Sequence, residues 1–284
     1  MQPAQHRFLP DGRRLHLHHG PIDLIVDAEG EGRRAALAAV VKRFQTVMRE
    51  LASELPLLRS PMPLPEQPCG DIAARMVRAV KPHADTFVTP MAAVAGAVAD
   101  EMLATIRAAA PVSRAYVNNG GDVALHLRGD ARYDAAFPGG RLQLSGSDGV
   151  GGVATSGWRG RSHSLGIADA VTVLAPCAAD ADAAATLIAN AVDLPGHPGI
   201  TRVPAGDLAP DSDLGPRPVT VGVDALTPAD AMTALDRGRA LAARLRRDGV
   251  IRACALVLGP HVVAEGRCGF HLSQDGARLA ETKD

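Results

Sequence analysis

Short β-branched segments flanking glycine-containing turns, interleaved with long stretches of three- and four-residue apolar period, predict a chain of mixed α and β structure. Three observations carry this. Residues 14–18 and 22–26 flank His19-Gly20-Pro21, a turn sequence between two strand-like runs. Residues 31–55 place Leu37, Val40, Val41, Phe44, Val47, Met48 and Leu51 at helical steps, the pattern of a helix with one buried face. Near the other end, 251–258 and 261–265 enclose Gly259-Pro260 as a closing hairpin.

With 284 residues, a 46% apolar fraction and a 21% charged fraction, the chain has the composition of an ordinary globular protein. Its length allows one large domain or two small ones. The net charge of -1 argues against a nucleic-acid partner or an anionic membrane surface, either of which calls for a clustered basic excess. Cys69, Cys177, Cys254 and Cys268 form no Cys-x-x-Cys pair, so neither a zinc ribbon nor a redox motif is supported and reduced thiols are expected. The first twenty residues lack the apolar core of a signal peptide. No apolar run reaches the 18 or so residues of a membrane-spanning helix, and a cytoplasmic protein is expected.

In chain order, residues 1–13 are expected to be a flexible N-terminus and 14–272 to form the folded part. His16, His18 and His19 invite a metal reading, two of them alternating on one strand face, but with no carboxylate expected nearby and no fixed spacing to other ligands they do not read as a metal site. Five prolines between 56 and 68 rule out a regular helix or central strand there. A short helix is expected at 71–80. The stretch 91–110 is helical and built of small side chains, with Gly96 in its middle. Glycine costs a helix about 1 kcal/mol relative to alanine, so Gly96 marks a close approach, by packing or by a ligand. Strands at 114–117 and 123–127 flank Asn118-Asn119-Gly120-Gly121-Asp122, a tight turn. A second strand pair is expected at 141–145 and 152–155, around a six-residue Gly/Ser/Asp segment, and a further strand at 170–175. Residues 193–227, dense in Pro, Gly and Asp, read as a long irregular excursion. Thr227-Pro228 then opens a helix running to about Arg247, and 273–284 read as a disordered polar tail.

The stretch from Gly151 to Val192 draws these pieces together. On its helix Asp182 and Thr186 are four residues apart and share a face. A carboxylate and a hydroxyl beside a Gly-rich loop suit magnesium, which takes oxygen ligands and keeps phosphate or water in its remaining positions. The plainer reading is a solvated Asp and a packing Thr on an Ala-rich helix. At Asn118–Asp122, adjacent glycines let backbone N–H groups approach a phosphate or carbonyl, with Asp122 accepting from ribose hydroxyls; the plainer reading is a hairpin turn. Ser156, His163 and Asp169 hold the residue types of a hydrolytic triad but not the spacing of a nucleophile elbow.

The order of these segments resembles the ApbE-like family, whose characterised members are FAD:protein FMN transferases. The resemblance spans about residues 20–270. It is carried by the small-residue helix with Gly96 and Asp100, by Asn118-Asn119-Gly120-Gly121-Asp122, and by Val153-Ala154-Thr155-Ser156-Gly157 with Ser162-His163 after it. The strand and Asp-x-x-x-Thr helix containing Asp182 and Thr186, and the closing helix and hairpin, complete it. It implies an α+β fold, a single domain with mixed or antiparallel sheets and flanking helices. It also implies an FAD site contacted by Asn118, Gly120, Gly121, Asp122, Thr155, Ser156 and His163, and a magnesium held by Asp182, Thr186 and the Ala154 carbonyl. Asp182 and His163 would then serve the reaction, in which FMN passes from FAD to a Ser or Thr hydroxyl of an acceptor protein with release of AMP.

Three departures set this chain apart from the characterised transferases. The Asp-Pro-x-Thr-Gly segment expected after the Ser-His pair is absent, Ala95 stands where a Lys commonly precedes the helix glycine, and residues 211–215 have no counterpart. They point to a cytoplasmic branch of the superfamily. The second reading is a non-catalytic flavin- or pterin-cofactor-binding module or chaperone. Self-association into a homo-oligomer is left open by the sequence.

Overall fold

The computed structural model describes residues 3–266 and 268–272; the tail expected at 273–284 lies outside them. The chain opens with β1 (Gln5–Phe8), β2 (Leu15–His19) and β3 (Ile22–Glu29), followed by helices α1 (Arg33–Ser53), α2 (Leu55–Leu58), α3 (Asp71–Val80) and α4 (Val94–Ala109). Strands β4 (Arg114–Asn119), β5 (Asp122–Leu127), β6 (Arg132–Phe137), β7 (Gly140–Ser145), β8 (Gly152–Ser156) and β9 (Ala170–Ala175) lead to α5 (Ala178–Ala191). The remainder holds β10 (Ile200–Pro204), α6 (Ala205–Leu208), β11 (Pro218–Val223), α7 (Pro228–Arg247), β12 (Ala253–Leu258), β13 (His261–Glu265) and β14 (Phe270–Leu272). The fold is α+β, and the β1–β2, β2–β3, β3–β4, β4–β5, β5–β8, β9–β12, β12–β13, β10–β11 and β7–β14 pairings are antiparallel.

The residues group into two compact units, neither of them contiguous in sequence. The first takes the chain up to Tyr133 together with Ser145–Ala154 and Ala175–Ala183; the second takes Asp134–Leu144, Thr155–Leu174 and the chain from Ala184 on.

In the first unit β1 to β5 form a meander, and β5 pairs with β8 through Val123↔Val153 and Ala124↔Gly152. Period-2 burial on β2 turns Leu15 and Leu17 inward, as alternation requires of a strand with one covered face. The predicted stripe of α1 is the buried one, with Leu37, Val40, Phe44, Val47 and Leu51 inside. Helix α4 is buried from Gly96 through Leu103, a run that opens on the small Gly96, Ala97 and Ala99. Its Glu101 carboxylate accepts from Arg43 of α1 at 2.9 Å and Arg75 of α3 at 3.3 Å, which ties both helices to it.

In the second unit β9, β12 and β13 pair in that order. Every residue of β9 and β12 is buried, so both faces of these strands are covered. Helix α7 turns Ala231, Ala234, Leu235, Gly238, Ala242 and Leu245 inward. Its Thr227 side chain accepts from the Asp230 N–H at 3.2 Å, as the Thr-Pro start predicts. Thr227→Ala should therefore lower stability by about 1 kcal/mol, read as a lower urea midpoint at unchanged slope; an unchanged midpoint would show that the cap contributes nothing.

Four features differ from the sequence reading. Residues 5–8 are not a loose end but a strand paired with β2, held by its backbone ladder since all four side chains are exposed. Strands 141–145 and 152–155 do not pair with each other: β7 lies between β6 and β14, and β8 pairs with β5. The intervening segment folds on itself instead, with the Asp148 carboxylate accepting from the Ser145 N–H at 2.6 Å and from its hydroxyl at 2.8 Å. The 193–227 excursion contains the antiparallel pair β10–β11, with Pro204 and Pro218 opposite each other at its end, where a missing N–H costs the ladder least. Finally, a carboxylate does stand beside the N-terminal histidines, with His16 Nε2 3.0 Å from Asp23 Oδ1. Among the described residues no helix is long and apolar enough to cross a membrane.

Candidate functional site

Within the first unit, three segments meet around Asp182: the start of α4, the start of α5 and the β4–β5 turn. The turn closes on Gly120 and Gly121, with φ of 65° and 117°, a conformation that side chains resist. The Asn118 side-chain oxygen accepts from the Gly121 N–H at 2.8 Å. The next residue, Asn119, is buried and donates from Nδ2 to the Ala95 carbonyl at 3.1 Å, which fixes the turn against the first turn of α4. Asp122 opens β5 close enough to Asp182 to perturb it.

Helices α4 and α5 cap each other. The Gly96 N–H near the start of α4 donates to Asp182 Oδ2 at 3.0 Å. In return Asp100 accepts from the Ala178 and Ala179 N–H groups that open α5, at 3.0 and 2.9 Å. Each carboxylate thus sits at the positive end of the other's helix, where unpaired donors and the macrodipole both favour it. A side chain on Gly96 would place its Cβ 2.2 Å from the Ala178 carbonyl oxygen, and one on Gly152 would stand 2.2 Å from the Cys177 backbone. Backbone approach on this scale is the reason for glycine at position 96, which stands in the first turn of α4 and not in mid-helix as the sequence pattern predicts.

The electrostatics are set by burial. Asp182 retains some solvent exposure as a residue, while its carboxyl group is densely surrounded. Burial first, and then the neighbouring charges of Asp122 and Asp100, push its pKa well above the usual carboxylate range, against the pull of the Gly96 and Ala95 N–H groups. Burial also raises Asp100, opposed by its two backbone donors. Beside them burial, Asp100 and Asp180 drive the Cys177 thiol far up, so this cysteine stays protonated and is not a nucleophile. Among the described residues no group of three or more His, Cys, Asp and Glu side chains is arranged to hold a metal; a site here would draw on carbonyl and hydroxyl oxygens as well.

Of the expected metal ligands, Ala154 lies fully buried on β8, and Thr186 sits one turn beyond Asp182 on α5, partly exposed. In the second unit the Thr155 hydroxyl is 2.9 Å from that of Thr172, Ser156 ends β8, and His163 is exposed on the loop that follows. Asp169 does not complete a triad. Its carboxylate accepts from Trp158 Nε1 at 3.2 Å, from Arg159, and from the Gly259 N–H at 2.6 Å. Asp100 and Asn119 are the positioning residues that periodicity and motif spacing do not reveal as such. Asn119 carried a signal in its place beside the glycine pair; Asp100 carried one only in its spacing from Gly96.

The family described as AbpE bacteria matches residues 6–269. A UPF0280 protein of Methanopyrus kandleri is 35% identical over 176 residues, 59% of this chain and 69% of that protein. One from Methanothrix thermoacetophila is 34% identical over 186 residues, 61% of this chain and 75% of its own. Among solved structures, the apo flavinyl transferase ApbE of Pseudomonas stutzeri is 14% identical with a TM-score of 0.43, covering 92% of this chain and 93% of that one. A variant of flavin transferase ApbE from Vibrio cholerae is 10% identical with a TM-score of 0.46, covering 93% and 97%. A family match over nearly the whole length, with relatives above 30% identity, places this chain in the AbpE bacteria family alongside the UPF0280 proteins.

Proposed function

We propose that the chain is a magnesium-dependent flavin- or nucleotide-binding protein acting in the manner of an FMN transferase, with Asp182, Thr186 and the Ala154 carbonyl as the metal's protein ligands. The observation that carries the reading is the meeting of the α4 start, the α5 start and the glycine turn at the Asp182 carboxylate, which accepts from the Gly96 N–H with the charges of Asp122 and Asp100 near enough to raise its pKa. Buried like charges are costly unless paired or bound to a metal. The donors on offer are all oxygens, as a hard cation prefers. Asp182 spends lone pairs on α4 N–H groups and, with about four acceptor sites on a carboxylate, keeps room for a cation. The ion, when bound, would neutralise charge at a pyrophosphate as a phosphoryl group moves.

The chain's own residues have separate parts. Asp100 and Asn119 hold the α5 start and the glycine turn in place. Gly120 and Gly121 leave the turn open to close approach, and Asp122 offers an acceptor for ribose hydroxyls. Thr155, Ser156 and His163 are the second unit's candidate flavin contacts, His163 as a ligand contact more than a base.

Incubation of the purified protein with FAD and magnesium, with and without an acceptor protein rich in Ser and Thr, should release AMP and raise the melting temperature. No FAD binding together with no AMP would refute the proposal. The missing Asp-Pro-x-Thr-Gly segment after His163 favours a second reading, the non-catalytic flavin- or pterin-binding module. That one requires ligand affinity that is independent of magnesium and untouched by Asp182→Asn.

A further inference from the structure

At the other end of α4 lies a separate cluster of opposite charge, also within the first unit. Arg107 in the last turn of α4, and His126 and Arg128 from the end of β5 onward, line a hollow of ≈ 250 Å³ floored by Ala110, Pro111 and Val112. Eleven residues of helix separate Arg107 from Gly96, about 16 Å at the α-helical rise, so this hollow is distinct from the Asp182 site. Arg107 and Arg128 are both exposed. Neither forms an ion pair among the described residues, whereas Arg13, Arg43, Arg75, Arg114 and Arg246 each pair with a carboxylate.

We propose that Arg107, His126 and Arg128 form a binding site for a phosphate group. Two guanidinium groups and an imidazole offer planar N–H donors suited to tetrahedral oxyanions. The volume falls below the range of about 300–1,000 Å³ typical of sites for larger organic ligands, which fits a small anion. Burial, and after it the charges of Arg107 and Arg128, hold the His126 pKa below its ordinary value, opposed by a hydrogen bond to the Val112 backbone. Part of that lowering is the positive field of the two arginines, which no carboxylate lining this hollow offsets. A bound dianion would supply that offset and favour the imidazolium. A helix C-terminus welcomes Arg107 on dipole grounds alone, but that accounts for neither Arg128 nor His126 beside it. An adjoining hollow shares Pro111, Val112 and Arg128 and adds Glu31 and Ser113, space for the organic part of a phosphate monoester.

The test is an NMR titration of the histidine ring protons in the full-length protein, with phosphate or chloride at matched ionic strength. Phosphate should move the His126 titration to higher pH, saturating with Kd of about 1 mM or below, while the other histidines stay put. Arg107→Ala and Arg128→Ala, both at exposed positions, should each weaken binding about tenfold with an unchanged circular dichroism spectrum. Glycerol phosphate binding no tighter than inorganic phosphate would identify the phosphate group as the whole ligand, and tighter binding would place the ester in the adjoining hollow. A His126 titration that chloride moves equally, or that neither anion moves, overturns the proposal, as does saturation unaffected by both arginine variants.

Discussion

Asp182→Asn is expected to raise the melting temperature of the metal-free protein at about pH 8 and to abolish its stabilisation by magnesium. The first effect follows from linkage. Burial and the nearby Asp122 and Asp100 charges hold the Asp182 carboxyl well above the ordinary carboxylate range in the folded chain, so between the unfolded and folded values the fold holds a proton that the unfolded chain has released. Stability then falls as pH rises through that window, opposite to the usual carboxylate that gains a cationic partner on folding. Asparagine cannot ionise and keeps the stability that the wild type loses. Its amide oxygen can still accept from the Gly96 N–H, and its Nδ2 can donate toward Asp122. Each kcal/mol recovered is worth roughly 2–4 °C, and the gain over wild type should shrink toward about pH 4.

The second effect runs the other way. Magnesium at about 100 times its Kd should stabilise the wild type by about 2.7 kcal/mol, a rise on the order of 5 °C, and more readily at high pH because the ion competes with the proton on Asp182. The variant should show no such rise. Melting curves of both proteins at about pH 5 and about pH 8, with magnesium or chelator, read both effects. A variant that melts below wild type in chelator at high pH would contradict the first, and an undiminished magnesium response in the variant would remove Asp182 from the ligand set.

How far the sequence showed this arrangement depends on the range of the interactions. Helix α3 was legible to its end residues and α7 to its capping Thr227, because period and caps are local signals. The β4–β5 turn was legible from its glycine pair. What joins these pieces is not local: Gly96 and Asp182 are 86 residues apart, Asp100 and the opening of α5 are 78 and 79 apart. Motif spacing placed Asp182 and Gly96 among the notable residues without showing that one caps the other's helix. The same limit explains the misassigned pairing of β7 with β8, neighbours in sequence whose partners lie elsewhere. In 193–227 the error was compositional. Counting Pro, Gly and Asp hid the β-branched Ile200, Thr201, Val203, Val219, Thr220 and Val221 that build β10 and β11.

Gly96→Ala should be strongly destabilising, although at an exposed helix position the same change would stabilise by about 1 kcal/mol. The added Cβ would stand 2.2 Å from the Ala178 oxygen, 2.5 Å from its carbonyl carbon and 2.8 Å from the Ala179 nitrogen. All three are backbone atoms, and all belong to the turn that Asp100 holds through the Ala178 and Ala179 N–H groups. Relief by moving that turn breaks the Asp100 cap; relief by moving α4 lengthens the Gly96 N–H contact to Asp182. Overpacking of about 1–3 kcal/mol and a weakened hydrogen bond to a charged or polar carboxyl of about 1.5–3 kcal/mol outweigh the propensity gain, leaving a net loss of about 3 kcal/mol. Gly238→Ala is the fitting comparison. Its Cβ would meet the Val192 Cγ2 at 2.4 Å and the Leu256 Cδ2 at 2.7 Å, side-chain ends that can rotate away, and no cap depends on it. Urea midpoints at constant slope should therefore fall much further for Gly96→Ala than for Gly238→Ala. Equal losses would mean that the α4–α5 approach yields as readily as two aliphatic side chains, and that the mutual caps do not fix the distance on which the Asp182 site depends.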